Sequence, residues 1–383
     1  NVASVAGAFV QTSKKYVARG GESRAGTLHD NEAEPSEVFT VQAGSRVVRV
    51  GLVGCGRVAN VHAAALKAAE QTELVAVADI KEDRARAFAE KYEAEAYTDW
   101  TKMLERDDID AIQICTPHHL HAEMTIAAAN AGKHVLTEKP MAISVEQANA
   151  MIEAAKRNNV TLGVIFQNRY NDASVAIKEA IDSGQLGEIK GARAFITWNR
   201  SDDYYKQSDW KGTWDKEGGG VLIDQAIHTI DLMQWFVGDV ESIRATYDTR
   251  AHEYIHVDDV AEAYIKFKNG AIACLYANCF YVYDAPIYLE IVGTEGRVEL
   301  IGSEATIRVG NERRIVQQAP DKIVGKDYWG SSHKRQIIDF YSNILNGEQP
   351  FIDGKAGKVA MDMVLAMYES ARTGRTVQFP YVP

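Results

Sequence analysis

VVRVGLVGCGRVANVHAAALKAAE, residues 47–70, decides the architecture. Its first half is a β-branched, nearly unbroken apolar run, the pattern of a strand buried on both faces of a parallel sheet. The run ends in Gly54-Cys55-Gly56 and passes directly into an alanine-rich stretch that reads as a helix. With Ala59 the turn completes the spacing GxGxxG/A. Gly54 permits the tight turn, and Gly56 lets backbone N–H groups approach a pyrophosphate at the helix N-terminus. Ala59 keeps helix and strand close.

Working outward, LVAVAD is a second strand that ends on Asp79, at the place where an acidic side chain accepts hydrogen bonds from ribose hydroxyls. A carboxylate there repels a 2′-phosphate, so NAD is expected over NADP, with Lys81 and Arg84 close enough to soften the preference. Arg57 and Val58, inside the turn, are further dinucleotide contacts. AIQICT, HVLTEK and TLGVIF supply more short strands between helical stretches, and this alternation from 47 to 165 predicts a doubly wound α/β domain. Ligands bind such sheets at the carboxyl ends of their strands. Two segments sit there: CTPHHLH, with Thr116, Pro117, His118 and His121, and TEKP, with Glu138 and Lys139. A lysine directly after a buried strand is costly unless its ammonium meets solvent, a partner or a substrate.

The second half turns on GGGVLIDQAIHTIDLMQWFVG, residues 218–238. Helical spacing puts Asp224 and His228 on one face, as a surface ion pair or as a polar stripe facing a cavity. The glycines are expected to bring the backbone close to a ligand. Around this helix lie strand-like runs such as KGARAFITWNR, DDVAEAYIKFKN and IYLEIVGTEGRVELIG, which predict an open, mostly antiparallel sheet with α+β character. The aromatic loop YYKQSDWKGTW carries Tyr204, Tyr205, Trp210 and Trp214, suited equally to packing and to stacking on a ring-shaped ligand. Gln167 and Arg169, where the two halves join, are further ligand-contact candidates. IKFK and ACLYANCF are apolar on both sides of the alternation, so the sheet face away from the helices is expected to join copies into a homodimer or homotetramer.

The resulting division is an irregular arm over 1–45, a dinucleotide domain over 46–166 and a substrate and oligomerisation domain over 167–383. A chain of 383 residues with 46% hydrophobic and 25% charged residues fits two ordinary cores. The net charge of -11 argues against nucleic acid as a partner. No apolar run is long enough to span a membrane. Cys55, Cys115, Cys274 and Cys279 form no CxxC pair and read as small reduced core residues of a cytoplasmic protein.

VGLVGCGRVANVHAAAL, CTPHHLHAE, GKHVLTEKPMA and GGGVLIDQAIHTIDLMQW occur in this order at fitting separations. Together they resemble the family of glucose-fructose oxidoreductase, inositol dehydrogenase and the MocA protein, over residues 47 to 380. The resemblance implies a Rossmann domain followed by an open-sheet domain, and a lysine with an Asp/His pair around the reacting sugar carbon. It carries over to Lys139, Asp224 and His228. The expected activity is hydride transfer between a sugar or cyclitol hydroxyl carbon and nicotinamide. The aromatic loop before the glycine turn resembles pyranose and glycoside 3-dehydrogenases, with inositol 2-dehydrogenase as the alternative. In this reading His228 takes the hydroxyl proton, Asp224 holds the histidine or an adjacent hydroxyl, and Lys139 steadies the reacting oxygen. A non-catalytic NAD sensor is the rival of another class. Asp224, His228 and Asp231 as metal ligands is a further rival, but no second ligand cluster completes such a site, so no metal is expected.

Overall fold

The computed structural model describes residues 46–318 and 332–383; the expected arm over 1–45 lies outside them. The opening stretch folds as β1 (Val48–Val53), a glycine turn and α1 (Ala59–Ala68). It continues through β2 (Thr72–Ala78), α2 (Glu82–Tyr92), β3 (Glu95–Tyr97) and a short α3 (Thr101–Leu104). Then come β4 (Ala111–Ile114), α4 (His121–Asn130), β5 (His134–Thr137), α5 (Val145–Arg157) and β6 (Leu162–Val164). These six strands pair in parallel in the order β3-β2-β1-β4-β5-β6. The chain leaves β1 on one side and comes back through β4 on the other. Their carboxyl ends therefore open onto the crevice where doubly wound sheets bind ligands. All of β4 is buried, including Gln113, its one polar residue, whose side-chain carbonyl accepts from the Tyr341 hydroxyl at 2.7 Å.

The second sheet has nine strands. β7 (Ile189–Thr197), β8 (Val240–Asp248), β9 (Val260–Phe267) and β10 (Ile272–Asn278) are followed by β11 (Tyr288–Gly293), β12 (Gly296–Ile301), β13 (Glu304–Val309) and β14 (Glu312–Gln317). β15 (Val377–Gln378) closes one edge. The order is β14-β13-β12-β11-β7-β10-β9-β8-β15, antiparallel throughout except where β7 meets β10. Three helices cover one face: α6 (Asp172–Asp182) against β13 and β14, α8 (Ile227–Val237) against β7 and β11, and α10 (Gly354–Thr373) against β8. A short α7 (Asp202–Lys206) lies in the aromatic loop. The face turned away from these helices carries Phe195, Tyr264 and Ile272, each more than 40% exposed among the described residues, while their strand neighbours Ala194, Ala263 and Ala273 are buried. Cys274 is also exposed there; Cys55, Cys115 and Cys279 are buried, so three of the four cysteines match the expected core placement.

α9 (His333–Asn346) follows the second sheet in sequence but packs on α1, over the first. Ile337, Phe340 and Tyr341 join Val50, Leu52 and Leu66 in one core. Gly163 makes room for the Phe340 ring, since a Cβ there would lie 2.6 Å from it. The described residues, 46–318 and 332–383, fall in a single compact unit that contains both sheets. No helix among the described residues is long and apolar enough to cross a membrane.

Candidate active site

A cleft of about 720 Å³ runs from the glycine turn to the aromatic loop. At one end it is lined by Gly54, Gly56, Arg57, Val58 and Asp79. Gly54 has φ +92°, and a Cβ on it would press on the Cys115 carbonyl at 2.7 Å. A Cβ on Gly56 would meet nothing within 4 Å and would project into the cleft instead. No side chain caps the N-terminus of α1, so its first N–H groups and dipole remain for an anion. Asp79 Oδ2 accepts from Cys55 N at 3.0 Å and Oδ1 from Lys81 N at 2.9 Å, fixing the carboxylate at the tip of β2. This cradle fits a dinucleotide.

In the middle of the cleft Thr116 and Pro117 follow β4, and Glu138 and Lys139 follow β5. His121, expected at the cofactor, is fully buried and lines no part of the cleft. Its Nδ1 faces the Pro140 carbonyl at 2.7 Å and Nε2 the Thr116 carbonyl at 2.8 Å. It braces the two strand-end loops against each other. Glu138 Oε1 takes His62 Nε2 at 2.7 Å, and Oε2 accepts from Lys139 N at 3.1 Å. Burial works to raise the Glu138 carboxyl, but His62 holds it well below the usual range. Among the described residues the ligating atoms of His62, Glu138 and His333 lie within 4.8 Å of one another. The His62–Glu138 hydrogen bond accounts for the closest of those contacts.

The helix carrying Asp224 and His228 departs from the expected regular spacing. Val221–Ala226 is a π-helical turn, and α8 begins only at Ile227. The wider turn rotates Asp224 away from His228, so the i,i+4 pair does not form; π turns are frequent at functional sites. Asp224 instead collects donors: Lys139 Nζ on Oδ1 at 3.1 Å, and Lys211 Nζ at 2.7 Å, Tyr204 Oη at 2.8 Å and Gln225 Nε2 at 2.8 Å on Oδ2. Burial favours the neutral acid, but the ammonium groups of Lys211 and Lys139 overcome it and hold the carboxyl well below its ordinary value. His228 is half-buried, edge-on to Phe166, and its Nδ1 has no hydrogen-bond partner among the described residues. Burial, reinforced by Lys139, pushes this imidazole down to about 3. Both side chains line the cleft, as does Gln167.

The glycine turn serves the protein rather than a ligand. Gly218 has φ +85°, and a Cβ on it would strike Ile143 at 2.6 Å; one on Gly219 would collide with the Tyr368 hydroxyl. None of Gly218, Gly219 and Gly220 lines the cleft. The turn is seated by buried Asp258, whose Oδ1 accepts from Gly220 N at 2.6 Å and Tyr368 Oη at 2.8 Å, and Oδ2 from Leu222 N at 2.9 Å.

Of the aromatic loop, Trp210 and Tyr204 line the cleft, whereas Tyr205 and Trp214 do not. Tyr205 is buried with its hydroxyl 3.3 Å from Cys279 Sγ. Trp214 donates to the His256 carbonyl at 2.6 Å and packs on Tyr368 and Tyr247. Arg169 likewise lies off the cleft, in a bidentate pair with Asp231 at 2.8 and 2.6 Å. That pairing also engages Asp231 away from Asp224 and His228, against the metal rival. His118, at the strand end expected to meet a ligand, does line the cleft, whereas nothing in the sequence marks Lys211. Lys211 reads as one more loop cation until the fold brings it to Asp224 and Glu217, the latter 3.5 Å away. Burial pushes the Glu217 carboxyl up to about 8 even so.

Residues 48–166 match the family model described as an oxidoreductase family with NAD-binding Rossmann fold. Residues 174–299 match the GFO/IDH/MocA C-terminal domain. Levoglucosan dehydrogenase of Pseudarthrobacter phenanthrenivorans is 30% identical over 88% of this chain and 99% of its own length. Myo-inositol 2-dehydrogenase of Thermotoga maritima is 28% identical, again over 88% and 99%. The WlbA dehydrogenase of Chromobacterium violaceum, solved with NADH and UDP-GlcNAcA, aligns with a TM-score of 0.79 at 32% identity. It covers 89% of this chain and 98% of that one.

Proposed function

The chain belongs to the Gfo/Idh/MocA family of oxidoreductases, and from that premise we propose an NAD-dependent dehydrogenase acting on a sugar or cyclitol. It transfers a hydride between a hydroxyl-bearing carbon and nicotinamide, with a pyranose or glycoside oxidised at C3 as the leading substrate class. The observation that carries this reading is the meeting of Lys139, Asp224 and His228 in the cleft that also holds the Gly54–Gly56 cradle and Asp79. An inositol oxidised at C2 is the second reading, favoured by the full-length similarity to the Thermotoga enzyme. The protein is read as cytoplasmic and as a homodimer or homotetramer.

Nicotinamide, when bound, supplies the hydride acceptor. Lys139 places two N–H groups on Asp224, one on its backbone carbonyl at 2.9 Å and one on Oδ1 at 3.1 Å. The third N–H of the ammonium serves the reacting oxygen and stabilises negative charge as the hydroxyl proton leaves. His228, which lines the cleft beside Lys139, is the acceptor assigned to that proton. Asp224 does not hold His228; it fixes Lys139, with Lys211 and Tyr204 holding Asp224 in turn. A sensor protein has no use for a lysine and a neutral imidazole converging on one cleft. The test is NAD+ reduction with a panel of methyl glucosides, levoglucosan, inositols and nucleotide sugars. Turnover on one class supports the reading, and no turnover on the whole panel refutes it.

A further inference from the structure

His118 stands in the 3-10 turn His118–Leu120 that follows β4, and it lines the cleft close to Asp224. Its Nδ1 lies 2.8 Å from the Glu217 carbonyl oxygen. A carbonyl only accepts, so Nδ1 carries the proton and a neutral ring keeps its lone pair on Nε2. The ring is fixed in place: it is buried and packs edge-on against Trp210, with centroids 4.7 Å apart. Nε2 lies 3.9 Å from Asp224 Oδ1, the same oxygen that takes Lys139 at 3.1 Å.

That spacing is too long for a hydrogen bond. Nor does Asp224 call for an imidazolium, because Lys139 and Lys211 already neutralise it. Burial holds His118 well below its usual pKa; Asp224 opposes this, while Lys139 and Lys211 reinforce it. The cleft wall thus presents one ammonium donor, Lys139, and beside it a neutral acceptor of fixed tautomer. The two nitrogens lie 3.1 and 3.9 Å from one oxygen, Asp224 Oδ1, so donor and acceptor are close enough for neighbouring hydroxyls of one ring to meet them.

We propose that His118 is a specificity residue whose Nε2 accepts a hydrogen bond from the free hydroxyl adjacent to the one oxidised. The substrate class is then a ring bearing a free vicinal diol, and loss or substitution of the neighbouring hydroxyl is selected against. This deepens the dehydrogenase reading and rests on it. A buried acceptor left without its donor costs enough to lower kcat/KM by about 10- to 100-fold.

The experiment takes the best substrate among methyl glucosides, levoglucosan and myo-inositol. It compares kcat/KM on that compound and on its two analogues deoxygenated at the flanking carbons, for wild type, His118→Phe and His118→Ala. In wild type one analogue is expected to fall by about 10- to 100-fold. In both variants the parent falls and that analogue does not, so the ratio between them collapses toward one. NADH affinity, read by fluorescence, stays unchanged. Equal losses on parent and analogue in the variants overturn the proposal. A wild type indifferent to both deoxygenations overturns it without any variant. A wild type inactive on every parent refutes the dehydrogenase reading itself.

Discussion

Burial lowers the pKa of three imidazoles in and beside the cleft, and this has a consequence in pH. Burial brings His228 down to about 3 and lowers His118 and His121 as well. In the unfolded chain each titrates near ~6.5. At pH below that value the unfolded chain takes up protons the folded protein refuses, so folding loses ground. The stability these groups contribute is complete above about pH 6.5 and declines as the pH falls toward the folded values. Thermal melts from pH 7.5 to 4.5 should therefore show Tm dropping on the acid side, and His228→Asn should make the drop shallower. An unchanged slope in that variant would remove His228 from the account. For catalysis, His228→Ala is expected to lower kcat by roughly 10²–10⁴, the usual contribution of a positioned acid–base group. NADH affinity should barely move, since the dinucleotide cradle is built on Gly54, Gly56 and Asp79. Near-full activity in His228→Ala would assign the proton to another group. At the other end of the cleft Asp79 stands where a 2′-phosphate would be repelled. Asp79→Ser should narrow the gap between NAD and NADP affinity measured by fluorescence titration, and a gap that stays the same would place the discrimination elsewhere.

Among the elements, the π turn has the largest effect on the site. One carboxylate, Asp258, receives two N–H groups of the turn and the Tyr368 hydroxyl, all in the buried interior. Hydrogen bonds to a charged group contribute about 1.5–3 kcal/mol, so Asp258→Ala should cost at least that much in urea unfolding. It should also lower kcat, because Asp224 and with it Lys139 lose their seat. Lost stability with kcat intact would show that the turn holds its shape unaided. The same element shows where the sequence was legible. Asp224 and His228 stood out as polar residues on an apolar helix behind glycines, and both reach the cleft. Their mutual pairing was read from a regular α spacing, which a π turn breaks, and nothing local announces the extra residue per turn. The strands and the glycine fingerprint were legible because their periodicity is local. Asp258, Lys211 and the brace formed by His121 were not, because each acts on a partner far away in sequence. Tyr205 and Trp214 differ from Trp210 only in the direction the loop gives them, and composition carries no direction.

At the scale of the whole molecule, α6, α8 and α10 cover one face of the nine-stranded sheet, and no helix among the described residues covers the other. On that other face Phe195 packs against Tyr276 and Tyr288, with ring centroids 6.5 and 6.1 Å apart. Tyr264, Ile272 and Cys274 extend the patch across β9 and β10. Arg193, bonded to Glu290 at 2.6 Å and to Tyr288 at 3.2 Å, borders it with groups already paired to each other. Contiguous apolar patches above a few hundred Å² are uncommon on monomers. A two-fold axis lets such a patch cover its own copy, each strand face meeting the same face of the other subunit. The expected solution species is therefore a dimer through these sheets, or a tetramer built from such dimers, with a mass of at least twice 42.3 kDa. Light scattering at micromolar concentration reads the mass. Tyr276→Arg combined with Phe195→Glu buries charge at the centre of the contact and should return the protein to 42.3 kDa with its NADH affinity unchanged. A wild-type monomer defeats the prediction, and an oligomer that survives the double substitution places the contact on another surface.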